Sequence, residues 1–384
     1  MWRHIASNAL TLIIVGLVVL AGVLAWAQAE FRASGPMQQA ICLKVPRGST
    51  MRTVSEDLRA SGSISSAVIF RLGADYSGQS GQLKAGSYLV PAGASMQAIV
   101  DDITGSGAST CGTEIVYRIG VSSAETQVRE LDPANNRFEQ VAAFSAGEAA
   151  VPERYAAARQ EPDTRYRITI AEGATVWQVA TALAAADFLE IDTDSRPEEG
   201  QIAPDSYEIV PETALSVLFA EMNERQNDRL AAAWQNRRDG LPINTPQEAL
   251  ILASIIEKET GLAEERRQVA SVFINRLEAG IRLQSDPTVI YGVTDGKDPL
   301  ERGIRQSELR RETPYNTYVI DGLPPTPIAN PGLASIEAAL DPADTEFLFF
   351  VADGTGGHAF AATLAEHNAN VAKWREIEAN RVNE

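Results

Sequence analysis

The distribution of hydrophobic and polar positions divides the chain into an apolar N-terminal run, a repeated strand-helix pattern and a C-terminal helical region. The apolar run covers residues 10–29 and is almost uncharged. At a rise of about 1.5 Å per residue, a helix of this length spans the roughly 30 Å core of a bilayer. We therefore predict a single transmembrane anchor, because the apolar core of a signal peptide is only about 7–15 residues long. A cleaved signal peptide is the alternative, since A-W-A and A-Q-A at residues 25–29 resemble cleavage sites.

The charges that flank this run predict its orientation. Arg3 precedes the run, while Glu30 and Arg32 follow it. Positive residues are retained preferentially on the cytoplasmic side. We therefore expect residues 1–9 in the cytoplasm and the rest of the chain on the periplasmic side of the inner membrane.

Two segments repeat one pattern, LKVPRGSTMRTVSEDL at residues 43–58 and ITIAEGATVWQVATAL at residues 168–183. Each predicts a strand, a glycine turn and an amphipathic helix with a threonine cap. The segments that close the two copies are also alike. We therefore predict two small α+β modules, residues 36–105 and residues 165–239, the second of which includes a helix leading into the last domain.

The shared G-x-T-x-x-x-V-x-x-x-L pattern resembles the peptidoglycan-binding LysM module, and the resemblance implies that these modules bind glycan. Any capped strand-turn-helix unit would match the pattern, so a stalk without affinity for sugar is the alternative. Between the modules, residues 106–164 fit neither the helical nor the strand period, except for an alternating strand candidate at 114–121. We predict that they form a loosely structured insertion or linker.

The clearest helix signals open the last domain. Thr245 and Glu248 match a T-x-x-E capping box, and Pro246 occupies the first helical position between them. Gly261 predicts a left-handed cap at the end of this helix. A second helix follows and ends at Gly280.

Glu259 falls inside the apolar stripe of the first of these helices when residues are placed about 100° apart. The stripe is formed by Ala249, Leu252, Ile255 and Ile256. Burial raises the pKa of a carboxyl group towards the range in which it donates a proton near neutral pH. Glu259 is therefore the first candidate for a general acid, and Glu257, which projects to the side, is the second. Alternatively, Glu259 lies in a frayed last turn and pairs with Arg266 or Arg267.

Residues 295–331 form a long polar segment rich in proline and glycine. Long irregular segments inside compact domains commonly line a site, and its aromatic rings beside amides and hydroxyls suit sugars. A proline-stiffened surface loop is the alternative. His358, in a predicted strand pair near residues 346–360, either reaches this site or is structural. With a closing helix at 363–381, the patterns predict an α+β fold whose C-terminal domain is mixed α/β.

The net charge and the cysteine content limit which partners and which metal sites we expect. The formal net charge of −18 excludes nucleic acid as a partner, because that binding depends on clustered Lys and Arg. Cys42 and Cys111 are the only cysteines, and on an exported chain they are either bridged or two free thiols. Their spacing indicates no metal site, and we expect no cofactor.

Six blocks of the last domain occur in a characteristic order and spacing. They are EKET at 257–260, ASVFINRL at 270–277, RLQSDPTVIYG at 282–292, YNTY at 315–318, GLPPTPIANPG at 322–332 and FVADGTGGHAF at 350–360. Together they resemble the YceG-like endolytic murein transglycosylases, also called the MltG family. The anchor and the LysM-like region also fit this family, although the second module and the segment between the modules are more diverged or longer than in the family pattern.

The resemblance implies that residues 240–384 are a catalytic domain that cleaves the β-1,4 bond between N-acetylmuramic acid and N-acetylglucosamine within peptidoglycan strands, leaving a 1,6-anhydro end. The catalytic acid of the family matches Glu259. The candidate substrate-binding residues are Asp286, Thr288, Tyr315, Asn316, Tyr318 and Asn330. The partners implied are glycan strands, the membrane and glycan polymerases such as penicillin-binding proteins.

One acid is enough for this reaction, whereas hydrolytic glycosidases use two carboxylates about 5–5.5 Å or about 6.5–9.5 Å apart. Glu259 would protonate the leaving oxygen and then accept the proton of the substrate's own C6 hydroxyl as that oxygen attacks C1. A muramidase-type hydrolase, with Asp286 or Glu301 as second carboxylate, is one alternative. A non-catalytic peptidoglycan-binding scaffold is the other.

Overall fold

The structure is a computed structural model that describes residues 2–105, 110–145, 151–161, 163–297, 300 and 302–381, with side chains from residue 11 onward. The chain forms two compact units. The first consists of Met1–Ile115, Gln127–Ala143 and Ala150–Arg165, and the second of Val116–Thr126, Phe144–Ala149 and Tyr166–Glu384. The α+β fold class is confirmed, whereas the likeness of the modules to LysM and the domain boundaries stay predictions.

The N-terminal part of the chain forms a helix followed by alternating short strands and helices. In order these are α1 (Trp2–Arg32), β1 (Ile41–Val45), α2 (Met51–Ala60), α3 (Ala67–Tyr76), β2 (Gly86–Val90), α4 (Met96–Thr104), β3 (Thr113–Ile119), β4 (Ala124–Asp132), β5 (Arg137–Ser145) and α5 (Glu153–Ala158). Within the Thr11–Arg32 part of α1, the most apolar window of 18 residues has a mean hydropathy of 2.4. This helix is long and apolar enough to cross a membrane or to serve as a signal sequence.

The first unit has its own hydrophobic core. β1 and β2 pair antiparallel with Leu43 opposite Tyr88, and the helices α2 to α4 contribute fully buried side chains such as Phe70 and Ile99. Cys42 and Cys111 form a disulfide with their Cα atoms 5.7 Å apart, which decides between the two alternatives left open by their spacing. The predicted threonine cap is also present, since Thr50 accepts a hydrogen bond from the Thr53 backbone N–H.

The strand predicted at 114–121 corresponds to β3, whereas the loose structure predicted for the rest of the segment between the modules was wrong for its described residues, because they form β4, β5 and α5. Residues 106–109, 146–150 and 162 of that segment lie outside the described part. β3, β4 and β5 belong to a sheet that also contains β6 (Arg165–Ile170) and β8 (Ser206–Ile209). Among the described strands, the order in this sheet is β5-β4-β3-β6-β8. β5 was missed because none of its side chains is buried, so ladder hydrogen bonds define it more than a hydrophobic pattern does. Asn136, with φ of 54°, makes the turn before it.

The rest of the chain is mostly helical. Its further elements are α6 (Val176–Ala184), β7 (Leu189–Glu190), β9 (Thr213–Ala214), α7 (Leu215–Gln235), α8 (Pro246–Glu259), α9 (Arg266–Glu278), α10 (Asp286–Thr294), α11 (Gln306–Leu309), α12 (Leu333–Leu340), β10 (Phe349–Ala352), β11 (His358–Ala361) and α13 (Leu364–Arg381). The core of the second unit lies between α8, α9 and α12, where Ile255, Phe273 and Ile336 are almost fully buried.

The start of α8 follows the sequence prediction closely and its end does not. Thr245 accepts a hydrogen bond from the Glu248 backbone N–H at 3.1 Å, but the Glu248 carboxylate accepts from Asn244 N–H instead of completing the capping box. At the other end, Thr260 leaves the helix in an extended conformation with φ of −141°. The predicted left-handed cap at Gly261 is therefore wrong, and Glu259 is the last residue of the helix.

Candidate active site

Glu259 lies at the junction between the end of α8 and the chain before α10. The Ser285 hydroxyl donates a hydrogen bond of 2.5 Å to its Oε1. Ser285 is buried and is preceded by Gln284, which takes the uncommon left-handed conformation with φ of 48°. Gln284 and Ser285 are held by the opposite segment, since Gln284 N–H donates to the Thr317 carbonyl and Ser285 N–H to the Thr317 hydroxyl. The serine that contacts Glu259 is thus fixed by backbone contacts.

The surroundings of Glu259 raise its pKa into the neutral range. Burial raises the pKa of Glu259 to about 7, and the neighbouring Asp286 carboxylate acts in the same direction. The Ser285 hydrogen bond and the charges of His358 and Arg276 act against this rise in pKa. Its side chain is only half-buried, so the carboxyl group is desolvated without being sealed from solvent. These are the properties of a general acid that must also act as a base.

Asp286 and Tyr318 form the exposed edge of this site. The Tyr318 hydroxyl donates to Asp286 Oδ1 at 2.7 Å. Asp286 is exposed and Tyr318 is half-buried. Burial, followed by the Asp286 hydrogen bond, raises the pKa of the Tyr318 hydroxyl, so Tyr318 stays a hydrogen-bond donor. Of the predicted substrate-binding residues, these two lie at the surface next to Glu259.

Arg276 brings a buried positive charge to the site and was not foreseen from the sequence. It lies on α9 with 7% of its surface exposed. Its guanidinium donates to the Leu348 carbonyl at 2.6 Å and to the Leu283 carbonyl at 2.7 Å. Burial lowers its pKa, although Glu259 and Tyr318 act against this change. A charged residue among the apolar positions of ASVFINRL is the signal that would have found it.

His358 is held in one orientation by Glu265, the residue before α9. Glu265 Oε2 lies 2.7 Å from His358 Nδ1, and Glu265 Oε1 accepts the His358 backbone N–H at 2.8 Å. An ionised carboxylate can only accept, so Nδ1 is the donor in this contact. A Cβ atom at Gly357 would lie 2.5 Å from Glu265 Oε1, which explains the glycine at that position. His358 is thus held in place by Glu265, and a charge on it lowers the pKa of Glu259.

Glu257, the second candidate acid, has a different environment. Its Oε2 accepts hydrogen bonds from Gly332 N–H at 3.0 Å and from the Ser335 hydroxyl at 2.7 Å. It thereby caps the N-terminus of α12, where a negative charge is favourable. A groove of about 790 Å³ runs between α7, α9 and α12 beside this contact, and its lining does not include Glu259.

Three of the predicted substrate-binding residues are buried and make hydrogen bonds within the protein. Asn316 donates its amide to the carbonyls of Glu308, Leu309 and Arg311. Asn330 binds the turn before α6, since its side chain donates to the Ala174 carbonyl at 2.8 Å and accepts from Ile202 N–H at 2.9 Å. Thr288 is fully buried and donates to the Ser285 carbonyl at 2.7 Å. These side chains hold the loops of the site in place.

Tyr315 connects two loops near the site. Its ring lies 4.9 Å from that of Tyr291, and its hydroxyl is 2.8 Å from the Thr326 hydroxyl. Glu301 lies outside the described residues. In the part of the chain with described side chains, no cluster of three His, Cys, Asp or Glu residues is arranged to hold a metal ion.

Comparisons with known proteins identify relatives of this chain. The model of the YceG-like family matches residues 139–373. A Bacillus subtilis protein named endolytic murein transglycosylase is 29% identical over 328 residues, which cover 85% of this chain and 82% of that protein. A Streptococcus pneumoniae protein of the same name is 34% identical over 182 residues, or 46% of this chain and 32% of that protein.

A solved structure of a yceG-like protein from Listeria monocytogenes is 25% identical and covers 86% of this chain and 99% of that chain, with a TM-score of 0.44. The residues matched by the family model make up more than half of the 384 residues. The chain therefore belongs to the YceG-like family.

Proposed function

We propose that this chain is a membrane-anchored endolytic murein transglycosylase in which Glu259 acts first as general acid and then as base. The enzyme class follows from the relatives: the chain is a lytic transglycosylase, a lyase acting on peptidoglycan. The anchor in this proposal is α1, and the catalytic part lies on the periplasmic side of the inner membrane. The observation that carries the role of Glu259 is its pKa of about 7 beside Ser285.

The reaction needs one group that gives and then takes back a proton. Glu259 donates its proton to the oxygen between the two sugars while the bond from C1 of N-acetylmuramic acid to that oxygen breaks. The C6 hydroxyl of the same N-acetylmuramic acid then attacks C1, and its proton passes to the Glu259 carboxylate. The products are a 1,6-anhydro end and a free 4-hydroxyl on N-acetylglucosamine, and no water is consumed.

The neighbours of Glu259 support both halves of this cycle. In the first half, burial keeps the carboxyl group protonated. In the second half, the Ser285 hydroxyl and the charges of His358 and Arg276 stabilise the carboxylate that has lost its proton. Because Asp286 and Tyr318 lie at the exposed edge, we assign them contact with the sugars. The buried Thr288, Asn316 and Asn330 act by positioning the surrounding loops, and Tyr315 lines the site.

The proposal is tested by mass spectrometry of glycan strands digested with the purified protein. We expect internal cuts that leave anhydro ends, and the Glu259→Gln variant should lose them while Glu257→Gln, matched in residue type and helix position, retains them. Reducing ends would indicate a muramidase instead. If Glu259→Gln released glycan at the normal rate, the assignment of the acid would be wrong. If neither the native protein nor the variant released glycan but both sedimented with purified wall, the chain would be a scaffold. Co-purification with a glycan polymerase would test the proposed partner.

A further inference from the structure

Helix α3 of the first unit carries an apolar stripe that no other described element covers. Val68, Leu72 and Tyr76 have 56%, 60% and 91% of their surfaces exposed. A spacing of four residues places all three on one face of the helix. Single exposed hydrophobic residues are ordinary, whereas a row of three on one helix marks a surface that contacts something apolar.

The stripe faces away from the core of the first unit. Phe70 and Ala74 each lie two residues from Leu72, which is about 200° around the helix, and both are 0% exposed. The side of α3 opposite the stripe is therefore the side that packs into the core.

The same helix lies against the end of α1. A Cβ atom at Gly73 would come within 2.3 Å of the Phe31 ring, and Phe31 is only 8% exposed. The Ser65 hydroxyl just before α3 donates to Glu30 Oε1 at 2.5 Å. Since Phe31 lies two residues beyond the apolar run that ends at Ala29, the contact is about 3 Å past that run along the helix axis. Helix α3 therefore meets α1 at the level where a bilayer core would end.

We propose that the Val68-Leu72-Tyr76 stripe is a lipid-contacting surface that lies in the interfacial layer of the bilayer crossed by α1. This inference rests on the membrane anchorage in the proposed function. The occupant is lipid because α3 packs against the end of α1, and the surface of α1 is itself apolar, with Leu24 and Trp26 each 61% exposed. Tyr and Trp favour the interface, and a helix with one apolar face lies in its plane. The first unit is thus held against the membrane at two places.

The test places an environment-sensitive fluorophore, NBD, on single cysteines introduced into the full-length chain, whose native cysteines are paired. Leu72→Cys reports the stripe, Val18→Cys reports the anchor and Glu139→Cys, at an exposed polar position of the first unit, is the control. Each protein is reconstituted at one copy per nanodisc of phosphatidylethanolamine and phosphatidylglycerol. We expect blue-shifted emission and loss of intensity to doxyl-labelled lipid at Val18 and Leu72, and neither at Glu139. Tyr76→Cys, which replaces a side chain outside the core, should repeat the Leu72 result.

The outcomes separate the two proposals. An aqueous signal at Leu72 and Tyr76 with a lipid signal at Val18 overturns the lipid contact and leaves the anchor intact. An aqueous signal at Val18 overturns both. Shielding of Leu72 that appears only with two copies per nanodisc assigns the stripe to a second copy of the chain and overturns the lipid contact.

Discussion

Two glutamates in the last turn of α8 lie on different faces of the helix and have different surroundings. On one face, Glu257 accepts hydrogen bonds from Gly332 and Ser335 and ties α8 to the start of α12. On the other face, Glu259 accepts one hydrogen bond from Ser285 and is buried enough to raise its pKa to about 7. The two carboxylates are of the same residue type and lie only two residues apart, so residue type does not separate them. The donors and charges contributed by other elements decide which one is structural and which one is able to transfer a proton.

The largest effect is expected from removing the proton donor. Glu259→Gln keeps the size of the side chain and a hydrogen-bond acceptor for Ser285 but has no acidic proton, so turnover should fall by about 10²- to 10⁴-fold. The rate of anhydro product formation measures this effect. Glu257→Gln is the control, and equal losses in the two variants would remove the distinction between the two faces.

Truncating Glu257, on the other face of α8, should lower the stability of the protein and leave turnover unchanged. Glu257→Ala leaves the Gly332 N–H and the Ser335 hydroxyl without their acceptor, so the free energy of unfolding should fall by roughly 1–3 kcal/mol. Urea denaturation monitored by circular dichroism measures it. A variant of unchanged stability that had lost turnover would place Glu257 in the reaction instead.

The pH dependence of kcat/KM should follow the protonation of Glu259. Bond cleavage needs the protonated form, so kcat/KM should decline as pH rises through about 7, by about tenfold per unit well above the pKa. Burial also raises the pKa of Glu199 to about 7, but its carboxylate accepts from Val176 N–H and the Tyr291 hydroxyl outside the site. Glu199→Gln should therefore leave the profile in place, and a shifted profile in that variant would assign the titration to Glu199.

The smallest effect on turnover is expected from weakening the hydrogen bonds that hold His358 in one orientation. Glu265→Gln leaves one amide oxygen for two donors, the backbone N–H and Nδ1 of His358, and losing one hydrogen bond to a charged group, about 1.5 kcal/mol, corresponds to about a tenfold fall in kcat. Steady-state kinetics on defined glycan strands measure it. If Glu265 acts only through His358, adding Glu265→Gln to His358→Ala should cause no further loss, and additive losses would contradict that route.

Local sequence signals were sufficient to predict much of the fold and to select Glu259 as the first candidate for the catalytic acid. The caps at Thr50 and Thr245, the strand-turn-helix repeat and the helix that carries Glu259 all follow from contacts within a few residues along the chain. The preference for Glu259 over Glu257 came from helical periodicity, which reports the face of a side chain before its neighbours are known. The strand β5 was missed because its side chains remain largely exposed, and Gly261 was misassigned because Thr260 ends the helix in an extended conformation.

The sequence by itself determined most of the elements, including the apolar helix at the N-terminus, and a carboxyl group placed against an apolar stripe. Only the tertiary structure decided what surrounds that group. Ser285 donates to Glu259, and the charges of His358 and Arg276 act on its pKa, although these residues belong to segments separated along the chain. It also decided that Asn316 and Asn330 hold loops. The physical reason is that periodicity reflects burial within one element, whereas a pKa and a hydrogen-bond partner depend on groups that meet only after the chain has folded.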